Sequence, residues 1–285
     1  MKNILMSLIS AVMLTGTVFA ADYSLPSFIF PDTGIPFVNR VKQLCSDTAG
    51  KDFSDLFGST ALNDESVCGY TKEDIAKIYT TGFYKYYDTK NLAETTGRNT
   101  GVDMFFGITE TINPEFISFS CPSDKANGEI TYRYVSKTDS VIGKYESHST
   151  TVNVVTMYLN NINEPDYIRT LSQATVTGNL PIPTPSVIPA FRDMNTGETV
   201  LAVKVNGNSS VIYIEQLGDK KTRLKAWDNG NLLTIQHMKK GLYHGTFEMK
   251  ERRTKIMGTE YVTPGWTRCY SNGVEVKTTG ECNVD

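Results

Sequence analysis

The chain has 285 residues, of which 40% are hydrophobic, 21% charged and 11% aromatic, and its net charge is −3. That composition suits one large or two modest domains with real cores, and it excludes a disordered or low-complexity chain. The slightly acidic balance also argues against a nucleic-acid partner, whose phosphates call for a face of clustered Lys and Arg.

Lys2 precedes an apolar run from Ile4 to Leu14, and Val18 and Ala20 stand at cleavage positions. A secretory signal peptide cut after Ala20 is expected. Thr15, Gly16 and Thr17 interrupt the run before it reaches bilayer length, and no second segment approaches it. The expected location is therefore exported, periplasmic or secreted, where disulfides persist. The cysteines are Cys45, Cys68, Cys121, Cys269 and Cys282. Cys45–Cys68 and Cys269–Cys282 would each close a short loop and are the predicted pairs, with Cys121 left free and buried. Five thiols leave other pairings open. No C-x-x-C spacing occurs, so neither a thioredoxin-like site nor a zinc knuckle is expected.

Residues 21–35 read as an aromatic, Pro-punctuated arm (Tyr23, Pro26, Phe28, Phe30, Pro31) packed on the body. Pro36 opens a predicted short helix through Cys45, with Phe37, Val41, Leu44 and Cys45 at helical spacing. Thr71 followed by Lys72-Glu73-Asp74 reads as an N-cap with an acidic first turn. The stripe Ile75, Ile78, Tyr79, Phe83, Tyr86 and Tyr87 then predicts a second helix.

From about Gly101 the period becomes strand-like. Val102–Ile108, Glu115–Cys121, Gly128–Ser136, Ser140–Glu146, Thr150–Leu159 and Ile168–Thr177 are the expected strands, with turns at Asn127-Gly128 and Thr138-Asp139. Pro181, Pro183, Pro185 and Pro189 make 181–190 a stiff connector, since proline is unsuited to a central strand. Beyond it, Val200–Val205 and Val211–Leu217 flank Asn206-Gly207, a type I′ hairpin signal. Leu201, Val203, Val205, Ile212 and Ile214 would share one face. Val200, Ala202, Val211 and Tyr213 would share the other with Lys204 and Ser209, leaving the tip wet. A second hairpin is expected from Leu232–Met238 and Leu242–Met249 around Lys239-Lys240-Gly241. The expected fold is α+β and mostly β: a small helical N-terminal section followed by a largely antiparallel body, a sandwich or a meander. Its expected parts are the signal peptide 1–20, an arm and helical section 21–97, a β portion 98–180, the connector 181–190 and a hairpin meander 191–285.

Asn229-Gly230-Asn231-Leu232, followed by Lys240-Gly241-Leu242-Tyr243-His244-Gly245-Thr246-Phe247, resembles the unit of the MORN-variant repeats of some secreted and antitoxin-type proteins. Tyr270-Ser271-Asn272-Gly273 is similar to the start of another unit, whereas Glu248 to Pro264 departs from the spacing. The resemblance covers about one unit plus a fragment. It implies stacked hairpins that bind macromolecules without catalysis.

Catalytic signatures are missing. There is no G-x-S-x-G, no H-E-x-x-H and no phosphate-binding Gly-rich loop. His148, His237 and His244 are the only histidines; His237 and His244 would lie on facing strands, and a zinc site would need two further ligands that the sequence does not place. Cys121 with a histidine would be the remaining nucleophile scheme. Asp64/Glu65 and Glu73/Asp74 are paired carboxylates, the second pair already serving a helix start. No catalytic residue, metal or cofactor is therefore assigned. Lys239, Lys240, Tyr243 and His244 crowd cations, an aromatic ring and an imidazole around Gly241, a composition typical of binding hot spots. The reading is an exported, non-enzymatic binding protein that engages a protein or glycan in the bacterial envelope or outside the cell. A secreted hydrolase or toxin with a dispersed site is the alternative, and a periplasmic immunity protein is a narrower one.

Overall fold

The structure, a computed structural model, describes residues 23–82, 97–99, 102–110, 114–123, 126–142, 145–178, 187–205, 207–218, 220–240, 242–256, 259–276 and 282. The expected signal peptide and the helix-stripe residues Phe83, Tyr86 and Tyr87 lie outside them.

Among the described residues three helices come early: α1 (Pro36–Thr48), α2 (Ser54–Gly58) and α3 (Lys72–Gly82). Proline in the first turn of α1 lacks the N–H that the helix start would leave unpaired. Thr71 caps α3 as its sequence predicts. The Asp74 backbone N–H donates to Thr71 Oγ1 (3.2 Å), while the Thr71 N–H donates back to the Asp74 carboxylate (3.1 Å). That backbone donor, followed by the Thr71 hydroxyl, holds the Asp74 carboxyl below the usual range.

The strands follow in chain order. β1 (Ser66–Val67) and β2 (Tyr70–Thr71) form a small ribbon before α3. Then come β3 (Gly97–Asn99), β4 (Val102–Glu110), β5 (Glu115–Ser120), β6 (Gly128–Ile142), β7 (Tyr145–Leu159), β8 (Pro165–Gly178) and β9 (Ile188–Asp193). The C-terminal half supplies β10 (Thr199–Val205), β11 (Asn208–Gly218), β12 (Lys221–Asp228), β13 (Asn231–Lys239), β14 (Leu242–Met249), β15 (Arg252–Ile256), β16 (Thr259–Thr263), β17 (Trp266–Ser271) and β18 (Val274–Val276). Among the described residues one antiparallel meander runs β18-β17-β14-β13-β12-β11-β10-β9-β8-β7-β6-β4-β3, with β5 beside β6; β15 and β16 form a separate hairpin.

The N-terminal section clasps this sheet from both sides. On the front face, Phe30, Phe37, Val38, Val41 and Cys45 pack on Phe191, Val200, Ala202, Val211, Tyr213 and Trp227. Leu25, Phe53 and Phe57 continue the cover onto Ile117, Val154 and Leu171. The chain then passes β5, where Leu62 N–H donates to the Phe116 carbonyl (2.7 Å). Arg133 holds that passage by donating to the carbonyls of Phe57 (2.9 Å) and Ser59 (3.0 Å). On the back face Val67 and Ile75 then cover Phe116, Ile130, Tyr132, Val155 and Met157.

The first C-terminal hairpin has the expected register. Val205 pairs with Asn208 and Leu201 with Ile212, so Leu201, Ile212 and Ile214 share the back face. Its tip differs from the expectation. Ser209 is fully buried, because the arm lies over it: Ile29 N–H donates to Ser209 Oγ (3.0 Å) and Lys204 Nζ to the Ser27 carbonyl (2.9 Å).

Three local expectations are corrected. Thr138-Asp139 is no turn. The strand continues through it between Val135 and Val141-Ile142, Thr138 pairing with Ser149 and Asp139 with His148, and β6 connects to β7 only where Ile142 meets Tyr145. Asn127-Gly128 is no hairpin centre, because Gly128 opens β6; a Cβ there would stand 2.4 Å from the Ser120 carbonyl oxygen and 2.5 Å from Pro122. Pro189 lies inside β9, opposite Leu171, but pairing with β10 ends at Ala190–Leu201, so the proline breaks no ladder on that side. Hydrogen bonding thus crosses from β8 through β9 to β10 without a gap, and residues 181–186 of the expected connector lie outside the described residues.

The predicted Cys45–Cys68 pair is also corrected. Cys68 bonds Cys121 (Cα–Cα 5.2 Å), and Cys45 is a free, buried thiol. Cys45 belongs to the front-face core, whereas Cys68 packs against the back-face core, so the sheet separates them. Cys269 and Cys282 are joined.

Candidate functional site

Lysine collects at one end of β11–β14. The β11–β12 turn brings Lys220 at φ +60° and the β13–β14 turn brings Lys240 at φ +53°. The Lys240 N–H donates to the Lys220 carbonyl (2.8 Å), which locks the two turns side by side. Lys221 and Lys239 stand directly opposite each other in register. Like charges in that position repel. Ion pairing in this half of the sheet goes elsewhere, to Arg223–Glu215, Lys250–Glu248 and Arg252–Asp228. Among the described residues no ion pair involves Lys220, Lys221, Lys239 or Lys240.

The other two predicted site residues leave this end on opposite faces. Tyr243 lies half-buried on the back face, its ring 5.1 Å from Phe247 and 5.4 Å from Tyr270. His244 turns inward and is buried, its Nδ1 accepting the Asn272 backbone N–H at 3.3 Å. Leu242, 38% exposed, stays at the surface beside Gly273. The Nδ1 atoms of the two histidines serve the backbone: His237 Nδ1 donates to the Thr246 carbonyl (3.0 Å) across a bulge in β13–β14, and His244 Nδ1 accepts from Asn272. Lys239 and Lys240 are thus brought together at the lysine end, with Tyr243 flanking it and His244 serving the core.

The back face of β14 and β17 extends the aromatic surface from Tyr243. Phe247 meets Trp266 at 4.9 Å, and the Arg268 guanidinium lies 4.7 Å over the Trp266 ring while pairing with Glu275 (3.1 Å). Lys220, Lys221, Trp266 and Arg268 were not assigned from sequence. Lys220-Lys221 repeats the double-lysine chemistry of Lys239-Lys240 at the neighbouring turn, and that repetition was the available signal.

The catalytic schemes lose their parts here. Cys121 is consumed by its disulfide, and Asp74 is engaged at the α3 cap. His148 stands exposed on β7, paired in register with Asp139 and Thr177. Among the described residues no cluster of three or more His, Cys, Asp or Glu is placed to hold a metal. No helix among them is long and apolar enough to cross a membrane. No protein-family model matches the chain, and neither a curated protein nor a solved structure matches it.

Proposed function

We propose that this is an exported, non-enzymatic binding protein that engages an acidic protein or glycan in the bacterial envelope or outside the cell, through the lysine end of β11–β14 and the adjoining Tyr243. The observation that carries this reading is the Lys221–Lys239 juxtaposition with Lys220 and Lys240 beside it and, among the described residues, no carboxylate paired to any of them. Repulsion that folding tolerates without compensation is relieved when an anionic partner docks. Two disulfides suit an oxidising compartment. The Asn229-Gly230 turn (φ +47° and +81°) and the Asn272-Gly273 turn (φ +49° and +85°) support reading the C-terminal half as successive hairpins, in the manner of the MORN-variant units.

The test is affinity capture from periplasmic and culture-supernatant extracts with the mature protein and a Lys239→Glu/Lys240→Glu variant. Both substitutions lie at the sheet end, so the fold should survive. Wild type should retain an acidic component that elutes as salt rises, and the variant should lose it. Equal capture by a folded variant rules the lysine end out as the contact.

A further inference from the structure

Arg169 projects from β8 onto the front face, between its register neighbours Thr156 and Phe191. Its Nη2 donates to Thr156 Oγ1 (3.1 Å), and that hydroxyl is itself 3.2 Å from Thr131 Oγ1. Nε is closed off from solvent and has no hydrogen-bond partner. The guanidinium carbon lies 5.7 Å from the centre of the Phe53 ring and 5.8 Å from that of Tyr158. Among the described residues no carboxylate pairs with it. Of the acids nearby, Asp166 is engaged by Arg40 at 3.3 Å, and Glu129 is exposed opposite Tyr158.

The surroundings add positive charge. Tyr158 and Tyr167 stack at 4.2 Å, and Arg40 caps Tyr167 at 4.5 Å from its ring centre. Lys51 lies 5.4 Å from Phe53. Three cations therefore surround three rings, and among the described residues only Arg40 is paired with an acid. Ring faces attract a guanidinium but cannot neutralise it, and a half-buried cation without a counter-ion is a standing cost that an anion removes. Nη1, unlike Nε, is not closed off, and among the described residues no group takes its hydrogens.

We propose that Arg169, with the stacked Tyr158 and Tyr167 beside it, forms a binding site for a small carboxylate such as the uronate group of an acidic sugar. One guanidinium nitrogen without a protein partner suits a singly charged carboxylate oxygen, and the stacked rings beside it offer a flat aromatic surface against which a sugar ring can lie. A dianionic phosphate would demand more donors than this site offers. The site lies on β7 and β8, apart from the lysine end, so either reading can fail without the other.

The experiment titrates the mature protein with glucuronate, acetate, glucose and chloride at matched ionic strength, following the tyrosine ring resonances and the melting temperature. Glucuronate should bind saturably and acetate more weakly, with no saturable response to glucose or chloride. Arg169→Met should weaken glucuronate binding by about tenfold or more, the scale of a lost charge-assisted hydrogen bond. Tyr158→Phe should keep the stack and weaken binding less. If Arg169→Met fails to fold, Arg169→Lys replaces it and should also weaken binding, because a point charge does not reproduce the guanidinium plane. No saturable carboxylate response in wild type overturns the proposal. So does an equal response to chloride, or binding unchanged by a folded Arg169 variant.

Discussion

Gln236 shows how one side chain can oppose the fold that contains it. It points from β13 onto the back face between Leu224 and Phe247, is fully buried, and neither its carbonyl oxygen nor its amide nitrogen finds a hydrogen-bond partner. A buried amide left unsatisfied costs about 1–3 kcal/mol. Gln236→Leu should therefore stabilise the protein by about that amount, raising the melting temperature by about 2–4 °C per kcal/mol. Urea and thermal unfolding check it; a destabilised Gln236→Leu protein would show that the amide is satisfied in solution. Buried hydroxyls and thiols act at the other end of the pH scale. Burial pushes the Cys45 thiol up to about 12, and burial followed by repulsion from Tyr158 pushes Tyr167 up to about 12. Burial and the hydrogen bond to Glu198 raise Tyr213 as well. Folded-state values above the unfolded ones mean that this stability is complete below about pH 9 and is lost as pH rises toward 12. The melting temperature should accordingly fall progressively from pH 9 to 11. Cys45→Ala should fall less steeply between pH 9 and 10, where the unfolded thiol ionises.

At the scale of elements, the two disulfides secure unequal loops. Cys68–Cys121 spans 53 residues and Cys269–Cys282 spans 13. Chain-entropy reasoning assigns about 4 kcal/mol to the first and about 3 kcal/mol to the second. Non-reducing peptide mapping should recover both pairs, with Cys45 reacting with thiol reagents only after denaturation. The Cys68→Ser/Cys121→Ser protein should be the less stable of the two double variants. A Cys45–Cys68 crosslink in folded protein would refute the placement of those cysteines on opposite sheet faces. The limits of the sequence are visible in the same elements. Alternation of Leu201, Ile212 and Ile214 around Asn206-Gly207 fixes a register locally, and the Thr71 cap is likewise written in four consecutive residues. The short Cys269–Cys282 loop is legible from spacing, but the partner of Cys68 and the lysine end depend on which way the chain passes around the sheet, which nearest-neighbour spacing does not encode. Thr138-Asp139 misled because its polarity resembles a turn while its neighbours favour an extended ladder. Tyr243 and His244 were legible as residues of interest, and as consecutive residues of β14 they face opposite sides of the sheet; that the His244 side is the buried one was not legible.

For the whole molecule, the consequence is that the C-terminal meander owns only the back-face part of its core, where Ile212, Leu224, Ala226 and Met238 pack together. Val200, Ala202, Val211, Tyr213 and Trp227 are buried only together with Phe30, Phe37, Val38 and Val41 from the arm and α1. The hydrogen-bonded sheet also continues from β8 through β9 into β10, so cutting there exposes a strand edge as well as an apolar face. Burying a large apolar side chain contributes about 1.5–3 kcal/mol, so losing four such partners costs about 6–12 kcal/mol, which is comparable with the whole margin of about 5–15 kcal/mol of a typical domain before the exposed edge is counted. A fragment of residues 187–285 should therefore fail to unfold cooperatively, should bind a hydrophobic dye, and should tend to aggregate. Supplying residues 21–82 in trans should not restore it fully, because their back-face contacts lie on β5–β8, which the fragment lacks. Cooperative melting of the isolated fragment, with narrow dispersed amide resonances, would instead establish the meander as an independent domain. In that case the clasp would be a docking contact that the C-terminal half can do without.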